Sequence, residues 1–272
     1  MTTPELSVQL YTVKDQLDAD LDGTLGRLAG MGLRLVEAFD FVRRPDELAE
    51  AFAKHGLTSP TGHATLLSDE IRLGDLVYPV DSHETIFAAA KTLGVETVID
   101  AFIPLERWQT EEGVADIATR LNAAARSAAE HGLRVGYHNH SQEFVASFGG
   151  RSAFEHFAEQ LDPEVVLEVD LFWAATAGQD VPALLSRLGE RVVAVHAKDG
   201  IPGVNPFTPG AAEFDPTMLD QRAAGQGEVP ILAALAAAPS VRYAILEFDA
   251  YKGDIFEGIE TGVKFFAENG IR

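Results

Sequence analysis

Val165-Val166-Leu167-Glu168-Val169-Asp170 and Val192-Val193-Ala194-Val195-His196 decide the fold of this chain. Both are short, β-branched and almost wholly apolar, as strands of a parallel sheet buried on both faces are. Each stops at an ionisable residue, and a longer segment separates the two. Outward from this pair the same alternation of short apolar runs and longer helical patterns continues to both ends, the pattern of repeated βα units.

Six further strands are predicted: Ser7 to Tyr11, Leu33 to Ala38, Leu57 to Gly62, Thr97 to Ala101, Leu133 to His138 and Tyr243 to Glu247. Between them, Val114, Ile117, Leu121, Ala124 and Ala128 recur at helical spacing on a stretch that starts at Thr110-Glu111-Glu112 and stops at Gly132. Ser152 and Glu155 form a capping box, Pro45 and Gly56 bracket another helix, and Ile255, Ile259, Val263 and Phe266 give the closing helix its apolar stripe. Eight βα units over residues 1–272 predict one α/β domain, a (β/α)8 TIM barrel. One long Gly- and Pro-rich stretch, Asp199 to Gln226, follows the seventh strand. It is either a functional loop or lid, or an inserted ornament.

With 46% hydrophobic residues and a mean hydropathy of +0.02, the chain has ample material for a core. A net charge of −21, from 21 basic against 42 acidic residues, leaves no electrostatic footprint for nucleic acid. The absence of cysteine excludes disulfides, thiolate zinc sites and cysteine nucleophiles, so any metal must be held by His and carboxylates. Met1-Thr2-Thr3-Pro4-Glu5 has no basic n-region, and no apolar run reaches transmembrane length, so a cytoplasmic protein without a membrane partner is expected.

Four of the last strands end in a residue able to bind a metal: His138, Asp170, His196 and Glu247. Residues two apart in a strand share a face. His138 and His140 therefore point inward together, as do His196 with Lys198 and Glu247 with Asp249, while Glu168 shares the face of Asp170 one layer below. Any one such residue more often pairs locally; four strands ending alike, at the end where barrel enzymes keep their sites, point to function. Two imidazoles and two carboxylates suit Mn²⁺, Co²⁺, Mg²⁺ or Zn²⁺.

At these residues the chain resembles the sugar phosphate isomerase/epimerase superfamily, the xylose-isomerase-like barrels that also include inosose dehydratases, keto-sugar epimerases and apurinic endonucleases. The resemblance spans nearly the whole chain. It is carried by Ser7-Val8-Gln9-Leu10-Tyr11-Thr12, Val36-Glu37, Gly62-His63, Tyr137-His138-Asn139-His140-Ser141-Gln142-Glu143-Phe144, Asp170 with Trp173, Ala177-Gly178, His196-Ala197-Lys198-Asp199, Gly225-Gln226-Gly227 and Glu247-Phe248-Asp249. It implies Asp170, His196 and Glu247 as metal ligands. His138 stands where many relatives carry Glu, a departure shared by a Tyr-His-Asn-His subgroup, and Glu143 is the alternative source of that carboxylate.

The implied activity is a divalent-metal-dependent isomerase or epimerase of a sugar or keto-sugar, with Mn²⁺ first among the metals and an enediolate intermediate. His140 is the first candidate base and Glu143 the second; Lys198 is an oxyanion partner or a local ion pair; Glu37, His63 and Trp173 contact the sugar. The alternatives are a lyase, meaning β-elimination of a 3-keto-glycoside, C- or O-deglycosidation or inosose-type dehydration, and a non-catalytic sugar-binding or companion subunit. The expected partner is a small sugar or keto-glycoside, with a homo- or hetero-oligomer left open. No phosphate-binding loop is present, and Gly225-Gln226-Gly227 alone is weak evidence for one.

Overall fold

The structure, a computed structural model, describes residues 3–73, 76–208 and 215–272. Its eight barrel strands are β1 (Glu5–Val8), β2 (Leu35–Ala38), β3 (Thr58–His63), β4 (Thr97–Asp100), β5 (Arg134–His138), β6 (Val166–Asp170), β7 (Val192–His196) and β8 (Tyr243–Leu246). All pairings are parallel, in the order β1-β8-β7-β6-β5-β4-β3-β2. A parallel bridge from Gln9 to Glu37 joins the two ends of that order, so the sheet curls into a nearly closed barrel.

The helices form where the apolar periodicity and the caps agree. Glu111–Glu130 is capped by the Thr110 side chain, which accepts from the Gly113 N–H, and it buries Val114, Ile117, Leu121, Ala124 and Ala128. Pro45–His55 starts on its proline and ends at Gly56, whose φ of 66° only glycine adopts cheaply. Ser152 and Glu155 make the reciprocal capping box of Ala153–Ala158. In the closing helix Ile255–Glu268, Ile259 and Phe266 are buried while Ile255 and Val263 are half-buried. Among the described residues no helix is long and apolar enough to cross a membrane.

Two apolar regions result. Most of the core lies between the outer face of the barrel and the helices, while Ile99, Val166, Val193, Ala194, Tyr243 and Ile245 form a separate cluster. Gly136 on β5 lets the strands close around that cluster. A Cβ there would lie 2.7 Å from Ile99 Cδ1 and 2.9 Å from Val166 Cγ2. This apolar plug occupies inward positions that precede the polar strand ends, so the buried charged side chains of the barrel interior collect toward its C-terminal mouth.

Strand ends differ from the sequence expectation by up to three residues, and most at β1. Leu10 and Tyr11 leave the strand for the 3-10 turn Leu10–Val13, because the Gln9 side chain accepts the Tyr11 N–H at 3.1 Å. Two hairpins rise from the mouth: Glu70–Leu73 with Leu76–Pro79 after β3, and Asp199–Ile201 with Asp220–Arg222 after β7. The second hairpin ties down the long stretch from Asp199 to Gln226, of which residues 209–214 lie outside the described residues.

Candidate active site

The stagger of the sheet stacks the polar strand ends in two layers. Glu168 lies beside His138 across β5 and β6, and Asp170 lies beside His196 across β6 and β7. His138, Asp170, His196 and Glu247 are all buried and each offers one ligand atom within 4.8 Å of the others. His63, Glu168, His138 and His196 form a second such group below it.

The imidazoles of His138 and His196 face both layers. His138 Nδ1 is 3.1 Å from Glu168 Oε1, and its Nε2 is 3.8 Å from Asp170 Oδ2. His196 Nε2 is 2.7 Å from Glu37 Oε1 and 3.0 Å from Glu168 Oε1, while its Nδ1 contacts Glu247 Oε2. A neutral imidazole has one N–H and one lone pair, so it cannot ligate a cation on both sides without becoming an anion. Glu37 and Glu168 accept the lower N–H groups and turn the lone pairs of His138 Nε2 and His196 Nδ1 toward the upper layer. Carboxylates behind ligating histidines fix them in this way. The upper group, which joins two carboxylates to the two imidazoles, is therefore the better suited of the two to a cation.

The donor set fits a divalent ion. Three carboxylates, from Asp170, Glu247 and Asp249, pair with the one ammonium, Lys198, while two more, from Glu37 and Glu168, lie against the imidazoles below. Asp170 Oδ2 is buried and has no well-directed hydrogen bond, although Lys198 Nζ pairs with it at 3.0 Å. Burial opposes charge on His196, but Glu168, Glu247 and Glu37 outweigh it and hold the ring protonated well above the usual range. A bound cation supplies the same compensation without that proton. Burial raises Asp170 to about 6 against the pull of Lys198 and His196. Glu247 is shifted the other way, because Lys198 and His196 overcome its desolvation.

His140 lies beside this cluster, its ring centroid 5.1 Å from His138, 5.7 Å from Trp173 and 5.9 Å from the half-exposed Phe102. Burial and then the charge of Lys198 lower it to about 4, so the ring is neutral near pH 7, and its Nδ1 is buried without a hydrogen-bond partner. Glu143 belongs to neither ligand group. Its Oε1 accepts from the Tyr137 hydroxyl at 2.7 Å and its Oε2 from the His140 backbone N–H at 3.0 Å, and burial raises it to about 7. Of the two candidates for the first ligand position, the structure brings His138 to the cluster and leaves Glu143 under the His140 loop.

Lys198 pairs with Glu247 at 2.9 Å and with both oxygens of Asp249 at 2.9 Å. Glu37 is fully buried, with its Oε1 shared among Gln9 at 2.7 Å, His196 and, at 3.1 Å, His63. It thus lies in the lower layer, with no exposed surface. His63 bonds Glu168 at 2.7 Å, and its side chain keeps 12% exposure. Trp173 is buried, its backbone N–H donating at 2.8 Å to the Asp170 Oδ1 that caps the following helix.

Two residues of the network were assigned no role from the sequence. Gln9 steadies Glu37, and Gln221 both donates to Asp249 Oδ2 at 2.7 Å and accepts the Asp249 and Ala250 N–H groups. Gln9 had a signal, since Ser7 and Gln9 are the alternate polar positions of an otherwise apolar strand. Gln221 had none.

The glycine-rich turn has an internal occupant. The Asp199 carboxylate accepts the N–H groups of Gly200, Gly225, Gly227 and Val229 at 2.8–3.1 Å, and a Cβ on Gly227 would fall 2.2 Å from Asp199 Oδ1. This nest of amides holds the chain's own carboxylate where a phosphate-binding turn would hold its ligand. Asp199→Ala orphans four donors, two of them (the Gly200 and Val229 N–H groups) buried, and is expected to cost about 3 kcal/mol, lowering the thermal midpoint by roughly 6–12 °C in a scan followed by circular dichroism.

A model of the xylose isomerase-like TIM barrel family matches residues 25–269. The chain belongs to that family. Solved barrels similar in structure include a sugar phosphate isomerase/epimerase from Parabacteroides distasonis ATCC 8503, 20% identical with a TM-score of 0.69 over 98% of this chain and 94% of that one. They also include the IOLI protein with a bound zinc atom, 19% identical with a TM-score of 0.66 over 97% of each chain. An L-ribulose 3-epimerase is 14% identical with a TM-score of 0.64 over 97% of this chain and 94% of that one. No curated protein matches the sequence. In this xylose isomerase-like barrel, as in the fold generally, the polar cluster sits where the C-terminal ends of the strands meet.

Proposed function

We propose that this protein is a divalent-metal-dependent isomerase or epimerase of a sugar or keto-sugar, in the subgroup marked by Tyr137-His138-Asn139-His140. The convergence of His138, Asp170, His196 and Glu247 within 4.8 Å carries the reading. These four residues would hold the ion, Mn²⁺ by preference. Such an ion supplies Lewis-acid polarisation of a substrate carbonyl, which makes the neighbouring C–H acidic. The names of the similar barrels, a sugar phosphate isomerase/epimerase, an L-ribulose 3-epimerase and a zinc-containing protein, support the same class.

The chain's own groups then divide the remaining work. His140 Nδ1, neutral and without a partner, takes the proton from carbon. Glu143 and Tyr137 hold the His140 backbone, and so position that ring. Lys198, steered by Asp249 and Gln221, donates to the oxygen on which charge develops. Glu37 and Glu168 fix the ligand imidazoles from below, His63 meets a hydroxyl at its exposed edge, and Trp173 with Phe102 flanks the sugar beside His140.

Incubation of metal-loaded protein in D₂O with a panel of keto-sugars and 3-keto-glycosides tests the reading. Deuterium appearing at carbon with all oxygens retained is the expected result. Loss of an aglycone or of water instead makes the protein a lyase. Binding without exchange or release makes it a sugar-binding subunit.

A further inference from the structure

A cleft of about 750 Å³ opens next to His63 and runs outward over the loops that follow β1, β2 and β3. Its floor is apolar: Leu10, Leu17, Leu48 and Ile86 lie there, each almost wholly buried. Phe39 and Tyr78 also line it, and Tyr78 is 46% exposed. Sites of about 300–1,000 Å³ enclose ligands of drug size, so this cleft exceeds what one sugar ring needs.

Its charges are already spent. Arg43 pairs with Asp40 at 3.0 Å, Arg44 pairs with Asp18 at 3.6 Å, and Lys14 lies over the Tyr11 ring, 3.8 Å from its centroid. Asp81, also on the lining, adds a third carboxylate against three cations. With His63 held between Glu37 and Glu168, the lining carries no excess of positive charge to draw a phosphate. The turn that carries Phe39 into the cleft passes through Asp40 at φ 49°, the one left-handed non-glycine among the described residues. Strain of this kind collects at ligand sites. Of the six large apolar side chains exposed among the described residues, five (Val77, Tyr78, Phe102, Val204 and Met218) lie on loops that follow strands. They give the mouth an apolar rim.

We infer that this cleft is a second subsite, which takes an uncharged, ring-sized apolar group joined to the sugar. The substrate is then a glycoside of a keto-sugar and neither a free monosaccharide nor a sugar phosphate. The inference rests on the reading of the mouth as a sugar site, and it adds continuity, since His63 belongs both to the cleft lining and to the lower layer of the polar cluster.

Calorimetric titration of metal-loaded protein with the methyl and phenyl β-D-glycosides of glucose, galactose and xylose, and with glucose 6-phosphate, tests it. Burying one phenyl ring in the cleft is expected to tighten binding about 10- to 100-fold over the methyl glycoside. Because the chain has no cysteine, Val42→Cys provides a unique thiol on the lining, and N-phenylmaleimide can plug the cleft in protein already folded. The phenyl preference should be present before modification and gone after it. Equal affinity for methyl and phenyl glycosides, a preference for the phosphate, or a phenyl preference that survives the plug overturns the cleft proposal while leaving sugar binding intact. If no sugar derivative binds and none exchanges deuterium, the reading of the mouth fails, and the subsite with it.

Discussion

Asp170→Ala is expected to empty the site of its ion and abolish turnover together. Asp170 offers Oδ2 to the upper cluster and uses Oδ1 to cap the helix Leu171–Thr176 through the Trp173 N–H. Removing it leaves three of the four proposed ligands. The loss of metal affinity should therefore exceed the ~10–100-fold that losing an outer hydrogen-bond partner costs. Asp170→Asn separates the two tasks, because the amide oxygen still caps the helix while the negative charge is gone. Elemental analysis and activity on the same preparations decide the matter, with circular dichroism to check the fold. Both variants should lose metal, and the asparagine variant should keep a near-native melting curve. Full metal content and turnover in either one would show that the strand ends do not share a cation.

His140→Ala should behave in the opposite way on metal and alike on activity. Its ring is no member of either ligand group and its Nδ1 makes no hydrogen bond, so neither the ion nor the fold depends on it. Removing a general base typically costs about 10²–10⁴-fold in rate, and the deuterium exchange should fall by the same factor. Metal content should not change. Glu143→Gln is the companion. It retains an oxygen for one of the two donors that Glu143 now serves, so a smaller loss is expected from a residue that positions His140 than from the base itself. Exchange at the native rate in His140→Ala removes this histidine from the mechanism.

Much of this arrangement was legible from strand periodicity. A strand alternates its side chains by its own geometry, so His138, Asp170, His196, Lys198 and Glu247 could be sent to the barrel interior from spacing alone, and the structure gathers them there. The same rule sent Glu37 inward, yet it gave no depth. The structure sets Glu37 in the lower layer of the cluster, with Gln9, His63 and His196 around one oxygen. Glu143 was similarly ambiguous, being five residues beyond His138 on a turn whose direction no period predicts.

The amino-acid sequence by itself determined the repeating βα pattern, the absence of thiol ligands and the identity of the groups facing inward, because these depend on composition and on neighbours a few positions apart. Tertiary structure alone decided the stagger that sets Glu168 beside His138 and Asp170 beside His196, the bridge by which Gln9 and Glu37 close the barrel, and the capture of four amides by Asp199. All of those contacts but the one from Gly200, the neighbour of Asp199, join residues 26 to 30 positions apart. Their register is set by hydrogen bonding between strands and by the packing of the apolar plug beneath, which no local period encodes.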